Sequence, residues 1–94
     1  MSGAECVQIR FRVTGRVQGV FYRDTTRRRA LELGLNGWAK NMFDGSVEVV
    51  AQGTAQQLAA LESFLWEGPR LARVDSVEGE SAAPSEELSG FRTG

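Results

Sequence analysis

The chain has 94 residues, of which none is histidine and one is cysteine. Without histidine, Ser-His-Asp and Cys-His catalysis and a histidine proton shuttle are excluded. The single Cys6 excludes an internal disulfide, and one cysteine without histidine does not suit a structural zinc site. The sequence therefore predicts no metal site and no cofactor, and we expect Cys6 to be inert.

Long apolar runs are also missing. No run approaches the length of a membrane-spanning helix, and the first residues, Met-Ser-Gly-Ala-Glu-Cys, lack the basic start and apolar core of a signal peptide. We therefore expect a cytoplasmic protein without a membrane partner. The length predicts one domain over residues 1–94, and a monomer is the default expectation.

The net charge of −1 conceals an uneven distribution. Residues 1–47 carry seven arginines and one lysine against four acids, which gives +4, whereas residues 48–94 carry three arginines against eight acids, which gives −5. The basic half suits one anion site and a solvated helix face. A pI near 5.4 argues against broad nucleic-acid binding, and we expect most of the arginines at 27–29 to be in solvent.

Alternation and turn signals divide the first half of the chain into four elements. Residues 6–14 alternate apolar and polar side chains, which predicts a half-buried strand. A helix is predicted over residues 21–33, with Gly34 as its C-cap. Residues 35–41 and 46–52 predict two strands that the Asp44-Gly45 turn connects as a hairpin.

The second half predicts a helix and further strands. Thr54 and Gln57 predict a capping box, and Gly68-Pro69 ends the helix. Residues 71–80 predict a fourth strand, 81–89 a loop and Phe91-Arg92 a short closing strand. The order β-α-β-β-α-β predicts an α+β, ferredoxin-like antiparallel sheet with both helices on one face. Strands 1 and 2 would then run parallel on either side of strand 3, so their ends would meet at one edge.

The stretch between the first strand and the first helix reads Gly15-Arg16-Val17-Gln18-Gly19-Val20-Phe21-Tyr22-Arg23. A glycine-bracketed turn before a helix leaves backbone N–H groups unpaired, and the helix dipole adds positive potential, which is typical of an anion site. Topology brings Asn41, at the end of strand 2, beside this stretch. No Gly-Lys-Ser/Thr follows the loop, which excludes a Walker-type nucleotide site.

Two of these residues also have ordinary structural interpretations. Arg23 could form a salt bridge with Glu32 or Asp44, and Asn41 could be a turn residue. A cation is poorly placed near a helix N-terminus unless an anion is bound there, which favours a functional role for Arg23. Asp24 is not expected to act as a general base, because a carboxylate would repel a phosphate trianion.

The stretch at residues 15–23 closely resembles the first signature of the acylphosphatases. Gly37-Trp38-Ala39-Lys40-Asn41, followed by Asp44-Gly45-Ser46-Val47-Glu48, resembles the second. Gly68-Pro69 followed by Ala72-Arg73-Val74 is also similar to the family pattern, so the resemblance covers nearly the whole chain. It implies a small ferredoxin-like α/β sandwich that hydrolyses the carboxyl–phosphate bond of acyl phosphates without a metal.

The resemblance also implies roles for individual residues. It assigns phosphate binding to Arg23 and orientation of the attacking water to Asn41. It places a phosphate loop, acting mainly through backbone N–H groups, on Arg16, Val17, Gln18, Gly19 and Val20. The implied substrate is a small acyl phosphate, and inorganic phosphate or sulfate could occupy the same site. Thr14 stands where the family often has histidine and Tyr22 where it usually has phenylalanine, and neither is expected to carry the chemistry.

Two rival functions remain open at this point. Ferredoxin-like domains include RNA-binding sheets, but the outward positions of strands 1 and 3 carry no aromatic side chain, so no nucleic-acid partner is expected; these positions are Gln8, Arg10, Arg12, Thr14, Glu48, Val50 and Gln52. Similar domains also occur within larger carbamoyl-transfer maturation proteins, where they handle carbamoyl phosphate. The sequence shows no second domain, so we expect a free-standing enzyme.

Overall fold

The computed structural model describes residues 5–94 of the chain. Its elements follow in the order β1 (Val7–Arg16), α1 (Tyr22–Glu32), β2 (Asn36–Asn41), β3 (Val47–Gly53), α2 (Ala55–Glu67), β4 (Arg73–Ala82) and β5 (Phe91–Thr93). The predicted βαββαβ order is confirmed, and so is the short closing strand. The largest shift in bounds is at β4, which lies two residues further along the chain than the predicted 71–80.

The five strands form one sheet in the order β4-β1-β3-β2-β5. β3 pairs antiparallel with both β1 and β2, so β1 and β2 are parallel to each other and end at the same edge. The predicted antiparallel sheet is confirmed for these pairs and for β1 with β4, and the added pairing of β5 with β2 is parallel, so the sheet is mixed and mostly antiparallel. The reason is that β4 lies at the opposite edge, so the chain must cross the sheet before it forms β5.

Side chains of the sheet hold this crossing segment in place. Gln52 donates to the Ser85 main-chain oxygen at 2.9 Å and accepts from the Ser85 N–H at 2.7 Å. Asn36, which pairs with Gln52 across β2 and β3, accepts from the Gly90 N–H at 3.0 Å. The segment between β4 and β5 therefore runs over the face of the sheet that the helices leave open.

The helices cover the other face of the sheet and enclose one apolar core. The capping box of α2 is confirmed, with Gln57 N–H donating to the Thr54 hydroxyl at 3.1 Å and Thr54 N–H donating to the Gln57 side chain at 2.8 Å. Each helix buries one face, and the buried residues on these faces are Tyr22, Thr26, Ala30, Leu58, Leu61 and Leu65. No helix among residues 5–94 is long and apolar enough to span a membrane.

A bulge near the end of β1 redirects the chain toward the site. The register with β4 shifts between Thr14 and Gly15, and Gly15 has φ 127°. A Cβ atom at this position would lie 2.1 Å from the Arg73 main-chain oxygen, which is far below van der Waals contact. Only glycine permits this close approach, so residue 15 determines where β1 leaves the sheet.

Candidate active site

A cavity of about 310 Å³ opens where β1 and β2 end. Arg23 from the first turn of α1 and Asn41 from the end of β2 both line it, as do Val17 and Gly19 from the connecting loop. The complete lining is Val17, Gly19, Phe21, Tyr22, Arg23, Asp24, Asn41 and Thr93. This volume lies at the lower end of the range typical of small-molecule sites, roughly 300–1,000 Å³.

Residues 17–21 form the β1–α1 loop, whose backbone is open to an anion. Within residues 5–94, the N–H groups of residues 17–20 are not used in backbone hydrogen bonds. Gly19 and Phe21 have φ of 75° and 65°, and Phe21 caps α1 without a side-chain hydrogen bond. The N–H groups at the start of α1 therefore also have no side-chain partner from the cap, and the helix dipole adds positive potential at the same place.

The opposite side of the β1–α1 loop is anchored to the protein. Val17 and Val20 are buried in the core. The Gln18 side chain donates to the Met42 main-chain oxygen at 2.8 Å and to that of Ser46 at 2.9 Å, which ties the loop to the hairpin that follows Asn41. These contacts fix the position of the β1–α1 loop relative to Asn41.

Three of the residues assigned to phosphate binding do not line the cavity. The Arg16 side chain is exposed at the end of β1, Gln18 binds the hairpin and Val20 packs in the core. Any contribution from these three residues would have to come from the backbone. Their assignment, like those of Val17, Gly19, Arg23 and Asn41, stays a prediction.

Two arginines of α1, one helical turn apart, hold the end of the chain beside the cavity. The Arg23 guanidinium donates to the main-chain oxygen of Gly94, and Arg27 Nε donates to that of Phe91 at 3.0 Å. The Gly94 N–H in turn donates to the Ala39 oxygen on β2 at 2.9 Å. These bonds place the Arg23 side chain between α1 and the end of β2, where Asn41 lies.

The salt bridges that could have explained Arg23 are absent from the described part of the chain. Glu32 instead pairs with Arg29 at 3.2 Å, and Asp44 pairs with Arg12 at 2.6 Å. Among residues 5–94, no carboxylate side chain forms a salt bridge with Arg23. No side-chain carboxylate therefore neutralises Arg23 there, although one of its N–H groups donates to the Gly94 oxygen.

Hydrogen bonds to Asp44 order the hairpin after Asn41. Its carboxylate accepts from the Ser46 hydroxyl at 2.6 Å, from Arg12 at 2.6 Å and from the Ser46 N–H at 2.9 Å. These donors, led by the Ser46 hydroxyl and then Arg12, hold the pKa of Asp44 well below its usual range. The ionised Asp44 carboxylate therefore stabilises the same hairpin to which the Gln18 side chain donates.

Sequence reasoning missed or set aside four residues of the cavity wall, one of which is Tyr22, where no chemical role was expected. Phe21 had no assigned role, although its place between a glycine turn and a helix was a usable signal. Thr93 lies on β5, whose pairing beside β2 no local pattern revealed. Asp24 was rejected as a base, and in the structure it accepts a salt bridge from Arg28 at 3.1 Å. Among residues 5–94, no three His, Cys, Asp or Glu side chains group as metal ligands would.

Comparisons with known proteins agree with this fold. Residues 9–93 match the family model described as Acylphosphatase. An acylphosphatase of Marinobacter nauticus is 48% identical over 86% of this chain and 88% of its own. One from Xanthomonas oryzae pv. oryzae is 60% identical over 72% of this chain and 77% of its own. The solved acylphosphatase structure from Coxiella burnetii superposes with a TM-score of 0.90 at 41% identity, covering 99% of each chain.

The βαββαβ order and the five-stranded sheet with two helices define a ferredoxin-like α+β domain. The extent of the sequence match narrows that class, and the chain belongs to the acylphosphatase family. Its function is that of an acylphosphatase, a hydrolase whose substrate is an acyl phosphate.

Proposed function

We propose that the chain hydrolyses acyl phosphates without a metal, with Arg23 and the β1–α1 loop binding the phosphoryl group and Asn41 orienting the attacking water. The observation that carries the proposal is that Arg23 and Asn41 line one cavity with the loop, although they come from different elements. The unused N–H groups of residues 17–20 supply further donors beside the arginine.

Charge and geometry suit Arg23 to the phosphoryl group. A guanidinium presents parallel N–H donors that match two phosphoryl oxygens, while loop N–H groups can hold the third. The negative charge on these oxygens must be stabilised as the P–O bond lengthens, and in phosphoryl transfer most of the catalysis is positioning and charge stabilisation. Arg23 forms no salt bridge with a carboxylate side chain within residues 5–94, so no side-chain charge competes with the substrate there.

Asn41 suits the orientation of water rather than its deprotonation. Its amide oxygen can accept a hydrogen bond from water, but an amide is too weak a base to remove the proton. A new bond forms between the water oxygen and phosphorus while the bond between phosphorus and the carboxyl oxygen breaks. The leaving carboxylate has a conjugate acid with a pKa of about 4, so it departs without a proton from a general acid. The water proton passes to solvent or to the product phosphate.

The open face of the sheet offers little support for RNA binding. One aromatic residue escaped the sequence argument, because the register of Trp38 with Val50 and Arg10 places it on that face. Lys40 Nζ lies 4.3 Å from the centre of its ring, and the crossing segment passes beside it. Ion pairs occupy much of the remaining face, including Arg10 with Glu48 at 3.4 Å. We therefore propose an enzyme without a nucleic-acid partner, expected to be a cytoplasmic monomer.

The direct test is hydrolysis of acetyl phosphate and benzoyl phosphate by the purified chain with excess chelator present. We expect turnover above the uncatalysed rate that does not change when the chelator is added. Turnover at the background rate would disprove the hydrolase, and turnover that the chelator removes would disprove the metal-free mechanism. Carbamoyl phosphate, as a third substrate, tests the alternative role in carbamoyl transfer. If the chain had that role, it would hydrolyse carbamoyl phosphate in preference to acetyl phosphate.

A further inference from the structure

Phe21 is in an unfavourable environment for a phenylalanine. Its backbone has φ 65° and ψ 22°, and it is the only non-glycine residue with positive φ among residues 5–94. A bulky side chain in this left-handed conformation strains the backbone. Its side chain is also 75% exposed, so core burial does not offset that strain. Neither backbone geometry nor packing accounts for an aromatic ring at this position.

Phe21 lines two cavities. Phe21 lines the cavity that contains Arg23 and Asn41, and it also lines a second, shallow groove of about 520 Å³. Val20, Pro69 and Leu71 supply the apolar part of this groove, Arg70 is its one charged lining residue, and Leu71 is 66% exposed. An apolar surface thus begins at the mouth of the phosphate cavity and continues away from it.

We infer that Phe21 and Leu71 form an acyl-group subsite, which selects acyl phosphates with aromatic or other large apolar acyl groups. The inference rests on the proposed function, since it assumes that the phosphoryl group lies against Arg23 and the loop. With the phosphoryl group there, the acyl group must project from the cavity, and Phe21 is on its wall. An apolar acyl group would remove the exposed ring and Leu71 from water, whereas an acetyl group is too short to reach along the groove.

This subsite should act mainly on substrate binding. Apolar contacts distant from phosphorus change little between the bound substrate and the transition state, so they lower KM more than they raise kcat. The expected signature is a change in KM for a large apolar substrate. A residue that merely positioned Arg23 would instead alter kcat for every acyl phosphate.

Phe43 provides a matched control. Like Phe21 it is an exposed phenylalanine, but it lies on the β2–β3 hairpin in a cavity that shares no lining residue with the phosphate cavity. An effect of general surface hydrophobicity would appear in Phe43→Ala as well as in Phe21 variants. If the acyl subsite is specific, the benzoyl-to-acetyl ratio of kcat/KM changes only in the Phe21 and Leu71 variants.

The experiment compares kcat and KM for benzoyl phosphate and acetyl phosphate in each variant. Phe21→Asn keeps a residue type that tolerates left-handed backbone. It should lower kcat/KM for benzoyl phosphate about tenfold more than for acetyl phosphate, mainly through KM. Leu71→Ala should lower the benzoyl-to-acetyl ratio about threefold, and Phe43→Ala should leave it unchanged.

The possible failures are distinguishable. Hydrolysis of both substrates with an unchanged ratio in the Phe21 and Leu71 variants would overturn the acyl subsite and leave the proposed function intact. An equal fall in kcat for both substrates would make Phe21 a positioning residue and would overturn the subsite. No hydrolysis by the unchanged chain would overturn the proposed function together with this inference. Thermal unfolding of each variant identifies any loss that comes from misfolding.

Discussion

The Tyr22 hydroxyl donates a hydrogen bond to the Leu65 main-chain oxygen at 2.6 Å, inside the core. Near the C-terminus of α2, the Leu65 carbonyl would ordinarily accept from the N–H four residues later, but that residue is Pro69, which has no N–H. Burial raises the pKa of Tyr22, so the hydroxyl stays protonated and able to donate. The phenol thus links the start of α1, where Arg23 lies, to the end of α2.

We predict that Tyr22→Phe destabilises the protein by about 1–3 kcal/mol, because it leaves a buried carbonyl without a donor. The measurement is urea-induced unfolding at pH 7. Ser63→Ala removes an exposed hydroxyl from α2 and serves as the control, with an expected change within about 0.5 kcal/mol. A Tyr22→Phe protein as stable as the unchanged chain would show that water satisfies the Leu65 oxygen.

We predict that Arg23→Ala lowers kcat/KM for an acyl phosphate by about 10³-fold, because the charge that stabilises the phosphoryl oxygens is lost. The same variant should lose inhibition by inorganic phosphate, and Arg23→Lys should recover only part of both, since an ammonium lacks the bidentate fork. Arg29→Ala is the matched control, because Arg29 lies on the same helix but pairs with Glu32. Normal turnover in Arg23→Ala would remove this residue from the mechanism.

We predict that Asn41→Ala lowers kcat by about 10²-fold, because the attacking water loses its orientation. Phosphate inhibition should change by less than about threefold, since the binding groups remain. Asn36→Ala, at the other end of β2, is the control and should keep normal turnover because Asn36 contacts the crossing segment instead. If phosphate inhibition weakened as much as kcat, Asn41 would be a binding residue.

We predict that the ionised Asp44 carboxylate contributes to the free energy of unfolding and that this contribution is lost in acid. Its pKa in the folded chain lies below the ordinary 3.8, so its stabilisation is complete above that value and declines as pH falls toward the folded pKa. The stability difference between the unchanged chain and Asp44→Asn should therefore be largest at pH 5–7 and shrink below about pH 4.

Urea midpoints for the Asp44 comparison should be measured between pH 2.5 and pH 7. Ser46→Ala, which removes the hydroxyl donor that lowers this pKa most, should weaken the pH dependence without abolishing it. A stability difference that stayed constant across this range would show that the Asp44 hydrogen bonds do not depend on its ionisation.

Most of the helices, strands and turns were predictable from local patterns. Apolar alternation in β1, the capping box at Thr54 and the Asp44-Gly45 turn each depend on residues close together in sequence, so the sequence contained their physical causes. The meeting of Asn41 with the β1–α1 loop followed from strand order, because parallel β1 and β2 end at one edge. The family signatures then indicated the chemistry expected there.

Only the tertiary structure decided the contacts between residues that are far apart in the chain. These include the parallel pairing of β5 with β2, the Tyr22 bond to Leu65 and the contact of Arg23 with Gly94. The lining of two cavities by Phe21 is of the same kind, because the groove wall includes residues about fifty positions later. The sequence determined which segments form helices, strands and turns, since these depend on local chemistry. The packing of those segments decided which side chains share a site.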